Sequence, residues 1–185
     1  SFRRKDNDLT DRPVTHSTGK VMAIYLMLAV VTIAVYSGVR KHEFVSWDDD
    51  VHLLQNPHVN DGLTWENIRW AFTYYAGSKT SRHTVGGDWH PIAWLSHMAD
   101  VQFWGLHNSG GHHITSLAIH VISTLLLFAV ARAMTGTLWR AAMVAALFGL
   151  HPLQVETVSW IFGRHDALSG VFWMLTIAAY LGYLK

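Results

Sequence analysis

Nineteen consecutive uncharged residues, Val21 to Val39 (VMAIYLMLAVVTIAVYSGV), constrain this chain more than any other feature. Coiled as a helix they cover roughly 28 Å of a hydrocarbon core about 30 Å thick, which is enough to span it. A secretory signal peptide has a shorter apolar part and ends in a small-residue cleavage site. Here no A-x-A follows, and Arg40 and Lys41 cap the far end, so the segment reads as a retained span. Two further runs, Ile114 to Ala131 and Ala167 to Leu184, are each uncharged over 18 residues. Between them Ala141 to Leu150 offers only 10 residues before His151-Pro152, and the proline should kink or end a helix there unless the segment continues through Val155. The expected fold is an all-α membrane protein with about four transmembrane segments, the third short or broken.

Composition agrees. Half the residues are hydrophobic and 15% are charged. With no cysteine there is neither a disulfide framework nor a thiolate metal site, so no metal centre is expected from tight ligand spacing; His90, His97, His107 and His112 show none. A net charge of +1 gives no basic field for nucleic acid. The expected divisions are a basic leader at 1–20, the first span at 21–39, a long loop at 40–112, and three further segments within 113–185. Arg3, Arg4, Lys5, Arg12 and Lys20, together with Arg132 and Arg140 in the short connection after the second span, place those ends in the cytoplasm and the long loop outside.

That outer loop holds six of the nine tryptophans: Trp47, Trp65, Trp70, Trp89, Trp94 and Trp104. In LTWENIRWAFTYY, Trp65, Ile68, Phe72 and Tyr75 recur at helical spacing behind a Thr64 cap, and a second helix starts at Pro91. Trp-rich amphipathic helices suit the outer interface of a bilayer; the alternative is a small packed core outside the membrane. Ala76 to Asp88 reads as a loop between the two helices.

Three groups of polar residues are candidates for chemistry. Asp48, Asp49 and Asp50 are consecutive and lie just beyond the first span. Mutual repulsion raises at least one pKa, so the cluster can supply a general base or hold a divalent cation, or it is a solvated acidic turn. At the outer mouth of the third and fourth segments stand Glu156, Arg164, His165 and Asp166. The planar fork of Arg164 suits a lipid-linked phosphate, against the plainer reading of charges flanking a span. On the second span His113, Ser116, His120 and Thr124 form one polar stripe, which should face protein. It is either a proton, metal, haem or pigment site, or a set of interhelical hydrogen bonds.

In chain order, FVSWDDD, NPHV, LTWENIRWAF, DWHPIAWLSHM, FWGLHNSGGHHITSLAIH and HPLQVETVSWIFGRHDALS resemble the transmembrane O-mannosyltransferases that carry tetratricopeptide repeats, and more closely their bacterial membrane relatives, within the GT-C glycosyltransferase superfamily. The resemblance runs from Phe44 to Leu184. It implies a polyprenyl-phosphate sugar donor, an acceptor hydroxyl on the outer, periplasmic face of a bacterial inner membrane, and inversion at the anomeric carbon. The family's acidic pair maps to Asp48 and Asp49, Asp50 being an extra acid. Arg164 is the expected cation for the donor phosphate, oriented by Asp166. A phosphate leaving group needs such a cation and no protonating acid.

GT-C enzymes have more spans than this, and no 34-residue repeat occurs here. The expectation is therefore the front of a longer enzyme, or a shortened relative without catalysis. The alternative function is a non-catalytic membrane subunit scaffolding a larger complex with other subunits, one containing pigment or haem. A transporter is disfavoured, since four segments without repeat symmetry offer no pathway.

Overall fold

A computed structural model describes residues 17–73 and 89–184. The leader before Ser17, Tyr75 and the Ala76 to Asp88 stretch lie outside the described residues. Helix α1, Thr18–Tyr36, runs into a tight turn at Ser37–Lys41. After a wide helical turn at Asp50–Leu54 come the short α2, Pro57–Asn60, and α3, Trp65–Thr73. Then follow α4, Pro91–Trp104; α5, Ser109–Thr135; α6, Leu138–Leu150; α7, Gln154–Ser159; and α8, Arg164–Tyr183. Among the described residues the chain is all-helical, with no strand.

Local chemistry sets the boundaries. Proline occupies the first turn of α2 and α4, where its missing N–H costs nothing. Thr64 Oγ1 accepts the amide of Asn67 at the start of α3, the cap expected there. α5 starts where Asn108 accepts the amide of Gly111 and ends at Gly136, whose φ of 65° is left-handed. α6 stops at His151, extended because Pro152 follows. Its 13 residues reach about 20 Å, so it does not by itself cross a bilayer. Among the described residues two helical stretches are long and apolar enough to do so, Thr18–Lys41 and Ser109–Thr135.

α5 is the central helix and packs on α1, α6 and α8. The inward stripe of α1 is Ile24, Leu28, Thr32 and Tyr36, at i, i+4, i+8 and i+12. Ile24 and Leu28 meet Phe128 of α5 and Leu138, Ala141, Ala142 and Ala145 of α6 in one apolar cluster. The outward residues of α1 and α8, among them Leu26, Val30, Ile33, Phe172, Trp173 and Tyr180, are exposed apolar groups, as a lipid-facing surface requires.

A second core lies in the loop region, where Val59, Ala71, Trp94 and Met98 are buried with Trp70 and Phe162 against them. Trp70 and Trp94 thus pack together in this core, while Trp47 and Trp65 stay outside it. α3 turns a different face inward from the one its apolar spacing predicts. Asn67 and Ala71 are buried, whereas Trp65 is 81% exposed and Phe72 48%. Asn67 is drawn in because its amide donates to Gly62 O at 2.9 Å and its Oδ1 lies 2.9 Å from the His58 ring, so its polar atoms are satisfied inside.

Candidate functional site

The three adjacent aspartates separate in space by role. Asp48 and Asp50 are partly exposed, and Asp49 is fully buried. Asp49 Oδ2 accepts the amide of Val45 at 3.0 Å, and its Oδ1 accepts the amide of Phe162, 113 positions along the chain, at 2.9 Å. Burial pushes the Asp49 carboxyl above the usual carboxylate value. Those two amides pull it back, and repulsion from Asp50 and Asp48 adds to the rise. Phe162 is held in place by a stack on His52, centroids 4.1 Å apart. The acidic loop and the turn leading into α8 therefore meet at one carboxylate.

Arg164, two residues after Phe162, is wholly buried. Its Nε donates to Ser116 Oγ at 3.1 Å, Nη1 to Ser96 Oγ at 3.1 Å, and Nη2 to the His112 carbonyl at 2.7 Å. Nη1 also pairs with Asp100 Oδ2 at 2.6 Å. The guanidinium expected to meet a phosphate is engaged on all three nitrogens by α4 and α5. Asp166 does not orient it. That residue is exposed, and its contact is with His165 at 3.5 Å. The orienting acid is Asp100, which sequence reading missed. Its signal was available, since Asp100 is the one charged residue of α4 and a lone acid on an apolar helix needs a partner.

The stripe on α5 faces inward, with His113, Ser116, His120 and Thr124 all buried. Ser116 receives Arg164. His120 Nε2 lies 3.1 Å from Gly149 O on α6, and Thr124 Oγ1 donates to His120 O. His113 packs edge-on against His42, centroids 5.9 Å apart. For His120 the arrangement is that of an interhelical hydrogen bond.

Beside the Arg164 network His97, Asp100 and His112, all buried, bring their ligand atoms within 4.8 Å of one another. Burial and then the Arg164 charge hold His97 well below the ordinary 6.5. Between the start of α4 and α8 a cleft of about 180 Å³ is lined by Trp89, His90, Ile92, His165, Ser169 and Phe172, with the His90 and His165 rings stacked at 4.5 Å.

No family model and no solved structure matches the chain. Curated proteins do. It is 28% identical over 139 residues, 75% of its length, to protein O-mannosyl-transferase Tmtc2 of Drosophila melanogaster, and 33% identical over 99 residues, 54% of its length, to Tmtc1 of the same organism. It is also 25% identical over 177 residues, 86% of its length, to human protein O-mannosyl-transferase TMTC4. The chain spans 15%, 11% and 22% of those three proteins. From the order of its motifs and this similarity over most of its length, the chain is a low-identity relative of the TMTC protein O-mannosyl-transferases.

Proposed function

We propose that this chain is a module of a GT-C-type membrane glycosyltransferase that moves a sugar from a polyprenyl-phosphate donor to an acceptor hydroxyl with inversion. The observation that carries the reading is the bond between Asp49 and Phe162, which joins the acidic loop to the GRHD turn in a buried site. A buried carboxylate with an elevated pKa is suited to take a proton. Each Asp49 oxygen spends one lone pair on a backbone amide and keeps another for an acceptor O–H. In the step, the acceptor oxygen bonds to the anomeric carbon as its proton passes to Asp49. The bond from that carbon to the phosphate oxygen breaks, and the phosphate leaves with the electron pair. In this reading Asp48, adjacent and partly exposed, assists Asp49.

Arg164 serves the donor phosphate only by releasing Ser96 or Ser116; in the arrangement described it fixes the turn that holds Asp49. In this reading α1, α5, α6 with α7, and α8 form four membrane segments, with the leader cytoplasmic and the 40–112 loop on the opposite, periplasmic side. The shared name of the relatives, protein O-mannosyl-transferase, supports transfer of mannose to a protein hydroxyl.

The test is transfer from a polyprenyl-phosphate sugar by the full-length protein in proteoliposomes. Asp49→Asn abolishes product while expression and membrane insertion persist, and full activity in that variant overturns the assignment. A second reading, a scaffold subunit of a larger membrane complex, draws on the engagement of Arg164 inside the fold. It requires that the protein purify within an assembly and without bound polyprenyl phosphate.

A further inference from the structure

Buried imidazoles ordinarily find partners, because an unpaired polar group in the interior forfeits its hydration without recompense. Both ring nitrogens of His97 and both of His112 are buried without a hydrogen-bond partner. The two rings lie in near-parallel planes, 30° apart with centroids 6.5 Å apart, and Asp100 stands beside them. His112 Nδ1 is 3.3 Å from Asp100 Oδ2, yet the two do not make a hydrogen bond. That spacing has another meaning. Two ligand atoms bound tetrahedrally to zinc at about 2.0–2.1 Å lie about 3.3–3.4 Å apart.

We propose that His97, Asp100 and His112 form a site for one divalent transition-metal ion of the zinc class, at the junction of α4 and α5. The donor set, two imidazoles and one carboxylate, is of the kind that binds zinc or cobalt, with a fourth position left to water. His97 and Asp100 sit at i and i+3 on α4, so one helix face presents both, and His112 comes from the first turn of α5. The carboxylate is supported as a metal ligand requires. Thr115 Oγ1 donates to Asp100 Oδ1 at 2.7 Å, and Arg164 Nη1 makes an ion pair with Oδ2 at 2.6 Å.

The metal would fasten α4 to α5 at the residue that orients Arg164. The inference rests on this geometry and is independent of the transferase reading.

The experiment uses the full-length protein in detergent, stripped with a chelator and titrated with Co²⁺ alone. The expected result is one Co²⁺ per chain with the intense visible absorption of four- or five-coordinate cobalt, displaced by Zn²⁺, and a rise in Tm on binding. His97→Ala and His112→Ala each weaken binding at least about 100-fold, whereas His107→Ala, at an exposed histidine, leaves it unchanged. Equal affinity in wild type, H97A and H112A overturns the site. Should either variant fail to fold, the wild-type spectrum decides: the intense bands support the site, and a spectrum like that of aqueous Co²⁺ overturns it.

Discussion

Arg164 and Asp100, 64 positions apart, form an ion pair of 2.6 Å with both side chains out of solvent. Truncating one partner of such a pair leaves an uncompensated charge and costs about 3–5 kcal/mol, although the intact pair contributes little net stability. Arg164→Met and Asp100→Leu are therefore each expected to lose about that much. Joint replacement by Met and Leu should recover part of the loss, and Ser96, Ser116 and the His112 carbonyl, left without their donor, keep recovery incomplete. Unfolding titrations of the four proteins as a double-mutant cycle measure the coupling. Additive losses would mean that the pair does not act as a unit.

Because no hydrogen bond joins Arg164 to Asp49 and the turn that carries Phe162 links them, the two residues should fail differently in an activity assay. Asp49→Asn removes the proton acceptor and is expected to lower kcat by at least about 100-fold with little change in KM. Arg164→Lys keeps the charge and loses the three-way fork, so its defect should appear as lower stability together with a shared fall in kcat and kcat/KM. Steady-state transfer kinetics in proteoliposomes, beside Tm, separate the two. Normal kcat in the Asp49 variant would remove the base from the mechanism.

The raised pKa of Asp49 also marks stability against pH. An acid that is weaker in the folded state binds its proton more tightly there, so its contribution is present below the ordinary value of 3.8 and is lost as pH rises through the elevated folded value. The wild-type Tm should therefore decline relative to Asp49→Asn as pH climbs out of the acid range. The Asn variant should lack that component and carry a pH-independent cost, since its side chain accepts from only one of the Val45 and Phe162 amides. Parallel Tm profiles across the acid and neutral range would contradict the shift.

What could be read from residue order was local. The uncharged run at Val21 to Val39, the helix start at Pro91 and the helix end before Pro152 each follow from length or from the geometry of proline. The inward stripe on α5 followed from period alone. The pairing of Asp166 with Arg164 that the resemblance implies is not made, because α8 begins at Arg164 and residues at i and i+2 of a helix point to different sides. Asp100, Ser96 and His97 were out of reach because their partners lie on other helices. The face of α3 was misjudged because a hydrogen-bonded Asn67 buries more readily than a Trp65 that can lie at an interface.

Gly149 marks a close approach of three helices. A Cβ there would stand 2.7 Å from Thr124 Cγ2 of α5 and 3.2 Å from Thr32 Oγ1 of α1. Small residues at such crossings let membrane helices pack backbone to side chain, and the His120 bond to the Gly149 carbonyl depends on that distance. Gly149→Leu is expected to cost about 1–3 kcal/mol through overpacking, with Gly182→Leu, where the space is open, close to neutral. Equal Tm shifts in the two variants would show that the crossing is not tight.

The proposed topology can be tested with single thiols, because the chain has no cysteine of its own. Ser46→Cys lies on the exposed loop after the first span, Met134→Cys at the end of α5, and Tyr183→Cys at the end of α8, all on exposed residues. If the leader is cytoplasmic and four segments cross, an impermeant maleimide added outside intact cells modifies the Ser46→Cys variant alone, and the other two variants react only after the membrane is opened. The Tyr183→Cys variant carries the most information. α6 alone reaches about 20 Å, so the third crossing requires α7 or local thinning of the bilayer. Labelling of Tyr183→Cys from outside would mean that α6 and α8 together cross an odd number of times, which overturns the four-segment reading.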